Sequence, residues 1–188
     1  MKWVACTLAA ILALPALAPH DALAQGVLVE RSEIRFVSKQ MGVNVEGRFR
    51  KWTANVVFLP DQLERSKADF TIELASIDLA SEESEGEVRG PLWFDAAKFP
   101  VARFVSTSIR SVGPDRYEVA GRLSIKGTTR ELAVPITYKR DASGGGVVEG
   151  SFVVKRLDFR IGEGLWADTG TVADEVNVRT KMVLAPPR

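Results

Sequence analysis

The feature that most restricts what this chain can fold into is an alternation of apolar and polar residues with period two, running from about Leu28 to the C-terminus. Tyr117, Val119, Gly121, Leu123 and Ile125 fall on one face of an extended segment, and Glu118, Arg122, Ser124 and Lys126 fall on the other. Successive side chains of a strand point to opposite faces, so this is the pattern of a strand with one face buried and one in water. It recurs at Ile34/Phe36, Val43/Val45/Phe49, Phe70/Ile72/Leu74, Leu132/Val134/Ile136/Tyr138 and Val176/Val178/Met182/Leu184. Less regular strands fit residues 54–59, 101–111 and 147–157. The turn signals between them, Met41-Gly42, Gly113-Pro114-Asp115, Lys126-Gly127 and Asp141–Gly146, are short, so neighbours in sequence are antiparallel neighbours in space.

One stretch breaks the rhythm. Residues 81–92 are acidic and lack alternation, with Ser81 placed to cap a helix, Glu82 and Glu83 in its first turn, and Gly90-Pro91 to close it. The expected fold is therefore all-β: an antiparallel barrel of eight strands, nine at most, lipocalin-like, with one short α-helix inserted around residues 81–92. Closure is preferred to a sandwich because it removes exposed strand edges. Pro135, inside a strand, predicts a local irregularity in the ladder. Gly47 and Gly121 point inward among large residues, either to relieve crowding or to leave room for a ligand.

The first 24 residues read as a cleavable secretory signal, with Met1-Lys2, an apolar run over 4–18 and the small-x-small site Ala22-Leu23-Ala24. The run falls short of the roughly 20 apolar residues that span a bilayer, so no integral membrane span is expected in the mature chain. Cys6 lies at the start of the run, where a lipid-attachment cysteine would follow it. The only cysteine and the only histidine, Cys6 and His20, leave with the leader. Residues 25–188 then form a single domain without thiolate or imidazole catalysis, disulfides or a zinc site. A net charge of +1 with interspersed signs does not suit nucleic-acid binding.

Several segments together resemble the YceI-like family of secreted, lipocalin-like, polyisoprenoid-binding proteins. They are Ser32-Glu33-Ile34-Arg35-Phe36, Gly47-Arg48-Phe49, Ala75-Ser76-Ile77-Asp78, the run Trp93-Phe94-Asp95-Ala96-Ala97-Lys98-Phe99-Pro100, Ala102-Arg103-Phe104-Val105-Ser106, Gly121 through Gly127, and Arg156-Leu157-Asp158-Phe159. Their order covers nearly the whole mature chain. The resemblance implies an extended antiparallel barrel whose interior holds a long isoprenoid tail, with no cofactor and no covalent chemistry; the leader makes the expected location periplasmic, and homodimerisation is an expectation of the family alone. The chain differs from the family pattern at Arg31-Ser32, Ser84-Glu85 and Arg160, so no head-group contact is carried over.

A hydrocarbon tail needs an apolar tube and little else, since burying apolar area gains roughly 25 cal/mol per Å². The expected lining comes from the inward faces: Phe36, Val45 and Phe49; then Phe58, Ile72 and Leu74; then Phe104, Val119, Gly121 and Leu123; and Val134 with Ile136. Trp93, Phe94, Phe99 and Trp166 lie beside the helix or in a late loop, and either form the mouth or staple the helix to the barrel. Asp95 reads as a turn cap. Two catalytic readings rank below binding. Ser124 and Lys126 share a strand face, the minimum for a Ser–Lys dyad, but that face opposes Leu123 and Ile125 and should be solvated. Asp158, Glu163, Asp168, Asp174 and Glu175 offer carboxylates for a hydrolase pair, or simply keep a loop soluble. A barrel that docks other envelope proteins without lipid is a further alternative.

Overall fold

The computed structural model describes residues 26–186; the leader expected over 1–24, with Cys6 and His20, lies outside them. The strands are β1 (Glu33–Gln40), β2 (Val43–Phe49), β3 (Trp52–Val57), β4 (Lys67–Glu73), β5 (Ile77–Asp78), β6 (Val101–Gly113), β7 (Arg116–Ile125), β8 (Thr128–Arg140), β9 (Gly146–Lys155) and β10 (Glu175–Leu184). A single α-helix among the described residues, α1 (Glu82–Arg89), sits between β5 and β6. All strand pairs are antiparallel and belong to one curled sheet, which β10 brings round onto β1.

The sheet has ten segments where eight or nine strands were expected, and the reason is two bends. Pairing passes from Phe49↔Ile77 to Trp52↔Ile72, three steps along one strand against five along the other. Such a bulge turns both strands at once. At the corner the Arg50 N–H donates to the Ser76 carbonyl and the Glu73 N–H to the Lys51 carbonyl, both at 3.0 Å. Counted through their bends, β2 with β3 and β4 with β5 are single strands, and the tally returns to eight.

Pro135 marks the irregularity its sequence position predicts. β8 and β9 are laced only from Ile136↔Gly150 to Arg140↔Gly146. From Pro135 back to Thr128, β8 keeps its ladder to β7 alone. A residue without an N–H sits where the second ladder stops. The hairpin turns also follow the sequence: Met41 and Gly42, like Lys126 and Gly127, all have positive φ, as tight two-residue hairpin connections require.

Both inward glycines relieve crowding. A Cβ on Gly47 would lie 2.3 Å from Phe36 Cζ, and one on Gly121 would lie 2.4 Å from Phe104 Cζ and 2.6 Å from the Val105 carbonyl oxygen. In each case an aromatic ring from a neighbouring strand lies across the glycine. One end of the barrel is plugged by Phe58, whose ring meets Tyr117 and Tyr138 edge-on at 5.0 and 4.9 Å. The Tyr138 hydroxyl donates to the Gly145 carbonyl at 2.9 Å, so the plug buries no lone donor. The opposite end carries α1.

Candidate functional site

The interior contains two adjoining hollows. The larger, about 440 Å³, lies under α1 between β1, β2, β10 and the inner faces of β7 and β9. The smaller, about 130 Å³, continues toward the Phe58 plug. Ile34, Ile72, Leu123, Phe152 and Val178 line both, so they stand at the waist, the boundary between the chambers. The larger chamber alone falls in the roughly 300–1,000 Å³ range of small-molecule sites.

Of the expected lining, Phe36, Val45, Phe49, Leu74, Trp93, Phe94 and Trp166 surround the outer chamber, with Ile72 and Leu123 at the waist. Phe58, Phe104, Val119, Val134 and Ile136 surround the inner one. Gly121 belongs to neither, because the Phe104 ring occupies the space in front of it. Phe99 is also absent from the lining and packs on the turn, with its ring 3.0 Å from where a Gly127 Cβ would be. Val43 was expected inside but is 68% exposed, at the rim of the β1–β2 hairpin. Trp93 and Phe94 are placed between the barrel core and the outer chamber. They pack against Leu123, Val154, Phe159 and Ile161 and also face the chamber.

The helix is shorter than its acidic stretch, ending at Arg89, and is capped by Ser81 as expected: the Ser84 N–H donates to Ser81 Oγ at 3.2 Å. A chain of ion pairs then fixes it to the barrel. Arg48 and Arg50 both hold Asp78, each at 2.6 Å, and Arg50 and Arg89 both reach the buried Glu85. The two arginines hold the Asp78 carboxyl below the usual carboxylate range, the Arg48 hydrogen bond first. Asp95 closes the following turn through its main chain, its carbonyl accepting from the Lys98 and Phe99 N–H groups.

Two cations that the alternation assigned to solvent, or left unremarked, are interior. Lys126 is only 4% exposed, contrary to its expected outward face. It occupies a left-handed turn position, where parity along the strand ends. Its ammonium donates to the Pro91 carbonyl, the Arg160 carbonyl and Glu163 Oε2, at 2.9, 2.7 and 2.9 Å. That hydrogen bond is the main cause of a lowered Glu163 pKa. Ser124 instead pairs with Thr129 Oγ1 at 2.8 Å, so the two do not form a dyad.

Arg156 is 2% exposed. Its five N–H groups donate to five carbonyls, those of Ala173, Ile161, Gly162, Trp166 and Val172, at 2.6 to 3.0 Å. Its guanidinium carbon also lies 5.7 Å from the Trp93 ring. Burial lowers its pKa, opposed by Asp174. One side chain thus pins the loop after β9 against the chamber it lines. The carboxylates of that loop have separate tasks. Asp168 accepts from the Gly170 N–H and Thr171 Oγ1, Asp174 from the Leu157 N–H, and Glu163 from Lys126.

The polar part of the outer chamber was not anticipated. It consists of Ser38 and Gln40 from β1, Glu83, Ser84 and Glu87 from α1, and Arg156. Gln40, Glu83, Ser84 and Glu87 are also solvent-exposed, which puts the mouth between the end of β1 and the helix. Period two carried past Phe36 reaches Ser38 and Gln40, and carried past Phe152 and Val154 it reaches Arg156, so that signal was available.

The sequence pattern of the YceI-like domain matches residues 27–184. The chain belongs to the YceI-like family. A UPF0312 protein of Azotobacter vinelandii is 29% identical over 137 residues, which cover 70% of this chain and 69% of the relative. A UPF0312 protein of Pseudomonas savastanoi is 29% identical over 104 residues, about half of each chain at 54%. Among solved structures, Burkholderia cenocepacia BcnA is 38% identical, with a TM-score of 0.82 over 85% of this chain and 99% of BcnA. A polyisoprenoid binding domain from Saccharophagus degradans, implicated in plant cell wall breakdown, shares the fold at 18% identity, with a TM-score of 0.72 over 88% of this YceI-like chain and 99% of that domain.

Proposed function

We propose that this YceI-like chain is a periplasmic carrier or sequestering protein that binds a long isoprenoid lipid, polyprenyl or quinone-like, reversibly and without altering it. The observation that carries the reading is the pair of apolar hollows in series, open under α1 and stopped at the Phe58 plug. A tail entering past the helix lies along Phe36, Phe49 and Phe94, threads the waist at Leu123 and Phe152, and ends beside Phe104 and Val119. The fold it shares with the Saccharophagus degradans polyisoprenoid binding domain supports the same reading. So does the rim. Leu165, Met41 and Val43, at 92, 78 and 68% exposure, are the most exposed large apolar side chains among the described residues. Leu165 adjoins the lining Trp166, and the Met41 N–H donates to the Thr171 carbonyl on the same loop. Such a rim suits a mouth that meets a bilayer surface when cargo is exchanged.

The test is solvent extraction of protein purified from its native envelope, followed by mass spectrometry. A stoichiometric isoprenoid is expected; repeated empty extracts, together with no uptake from loaded vesicles, overturn the reading.

A further inference from the structure

We infer that the site selects a lipid with an uncharged, hydrogen-bonding head, an alcohol or a quinone carbonyl, and rejects the phosphorylated form of the same tail. The inference rests on the lipid-carrier reading and adds to it the chemistry of the head. The strong side-chain contacts to a phosphate come from a cation with free donors. Among the residues that line the outer chamber Arg156 is the single cation, and all five of its N–H groups are taken by backbone carbonyls. The mouth instead presents two carboxylates, Glu83 and Glu87. Glu87 is held in place by the Trp166 indole, whose N–H donates to Glu87 Oε1 at 2.9 Å. An anionic head seated here meets like charge at the mouth.

The groups left for recognition are neutral. Ser38 and Gln40 line the same mouth from β1, and neither side chain has a hydrogen-bond partner among the described residues. A hydroxyl and a carboxamide donate to a carbonyl or exchange bonds with an alcohol, and the carboxylates accept from a hydroxyl. Polar donors on one wall, acceptors on the other and apolar chambers beneath are what a neutral amphiphile requires.

The test is competitive binding of four probes to the purified mature protein by native mass spectrometry: a polyprenol, an isoprenoid quinone and a polyprenyl monophosphate with equal tails, and squalene, which has no head. The polyprenol and quinone are expected to bind about tenfold tighter than the monophosphate. In Glu83→Gln/Glu87→Gln that gap is expected to narrow severalfold through a gain by the monophosphate. Ser38→Ala/Gln40→Leu is expected to lose about fivefold for the polyprenol and quinone, one hydrogen bond's worth, and nothing for squalene. Equal or tighter monophosphate binding by the native protein overturns the inference while leaving the carrier reading intact. A gap that persists unchanged in Glu83→Gln/Glu87→Gln also overturns it. If no probe binds, squalene included, the carrier reading fails and the inference falls with it.

Discussion

Arg156→Met removes the pin of the loop after β9 while keeping most of the stem's volume. Five carbonyls lose charge-assisted donors at once. Left buried and unpaired, each costs about 1–3 kcal/mol, and five together would rival the ~5–15 kcal/mol that holds a whole domain folded. The chain has a cheaper route, which is to let residues 160–173 lift off so that water satisfies those carbonyls. The loss is then limited by detachment of the loop, about 3–5 kcal/mol, the usual range for breaking a buried charged network. Arg156→Lys supplies three donors on one nitrogen, cannot reach five separated acceptors, and is expected to lose about 2–3 kcal/mol. Because Ile161, Trp166 and Val172 line the outer chamber from this loop, lipid capacity is expected to fall before global unfolding. Equilibrium urea unfolding gives the stability, and amide exchange at Gly162 and Glu163, whose N–H groups bond to the Leu92 carbonyl, gives the loop. A stability within about 1 kcal/mol of the native protein, with those amides still protected, would refute the reasoning.

Leu123→Ala opens the waist and is expected to cost about 2–5 kcal/mol while raising the longest tail accepted; a chain-length binding series checks it, and an unchanged limit counts against the waist. Gly121→Ala drives a methyl into the Val105 carbonyl and the Phe104 ring, and a loss of about 1–3 kcal/mol is expected in thermal unfolding. Asp69, held by its Arg103 hydrogen bond, and Glu163, held by Lys126, have pKa values below their ordinary 3.8 and 4.5. Their stabilisation is therefore complete above those values and is lost as pH falls through the lower folded ones. An acid titration followed by tryptophan fluorescence is expected to move to higher pH in Lys126→Met, and a midpoint unmoved by that change contradicts the assignment. Met41→Asp/Leu165→Asp is expected to slow lipid transfer from vesicles severalfold with equilibrium capacity unchanged; equal transfer rates would remove the rim from the exchange step.

The barrel was legible because its signals are local. Alternation set the faces, Met41-Gly42 and Lys126-Gly127 set two hairpins, Ser81 set the start of α1, and Pro135 announced the end of a ladder. Lys126 was misplaced because strand parity lapses in a left-handed turn, and three acceptors contributed by distant segments then drew its ammonium inside. Gly121 was misjudged because the ring that fills its space belongs to Phe104, on the neighbouring strand. The hollow itself is the least legible feature. It depends on which large side chains from opposite walls fail to meet, a relation between strands that no single stretch of sequence records. Arg156 was readable by parity, yet charged residues are so seldom interior that the alternation gave no reason to believe it.

The unlaced stretch below Pro135 bears on calibre. In a fully bonded tube, circumference follows from strand number and stagger, and changing it means breaking many bonds together. Here β8 from Thr128 to Pro135 and β9 from Ser151 to Lys155 face each other without a shared ladder, and Leu132 and Phe152 line the inner chamber from either side of that parting. On the lipid-carrier reading, this is the line along which the wall would spread for a thicker guest while the other ladders stay whole.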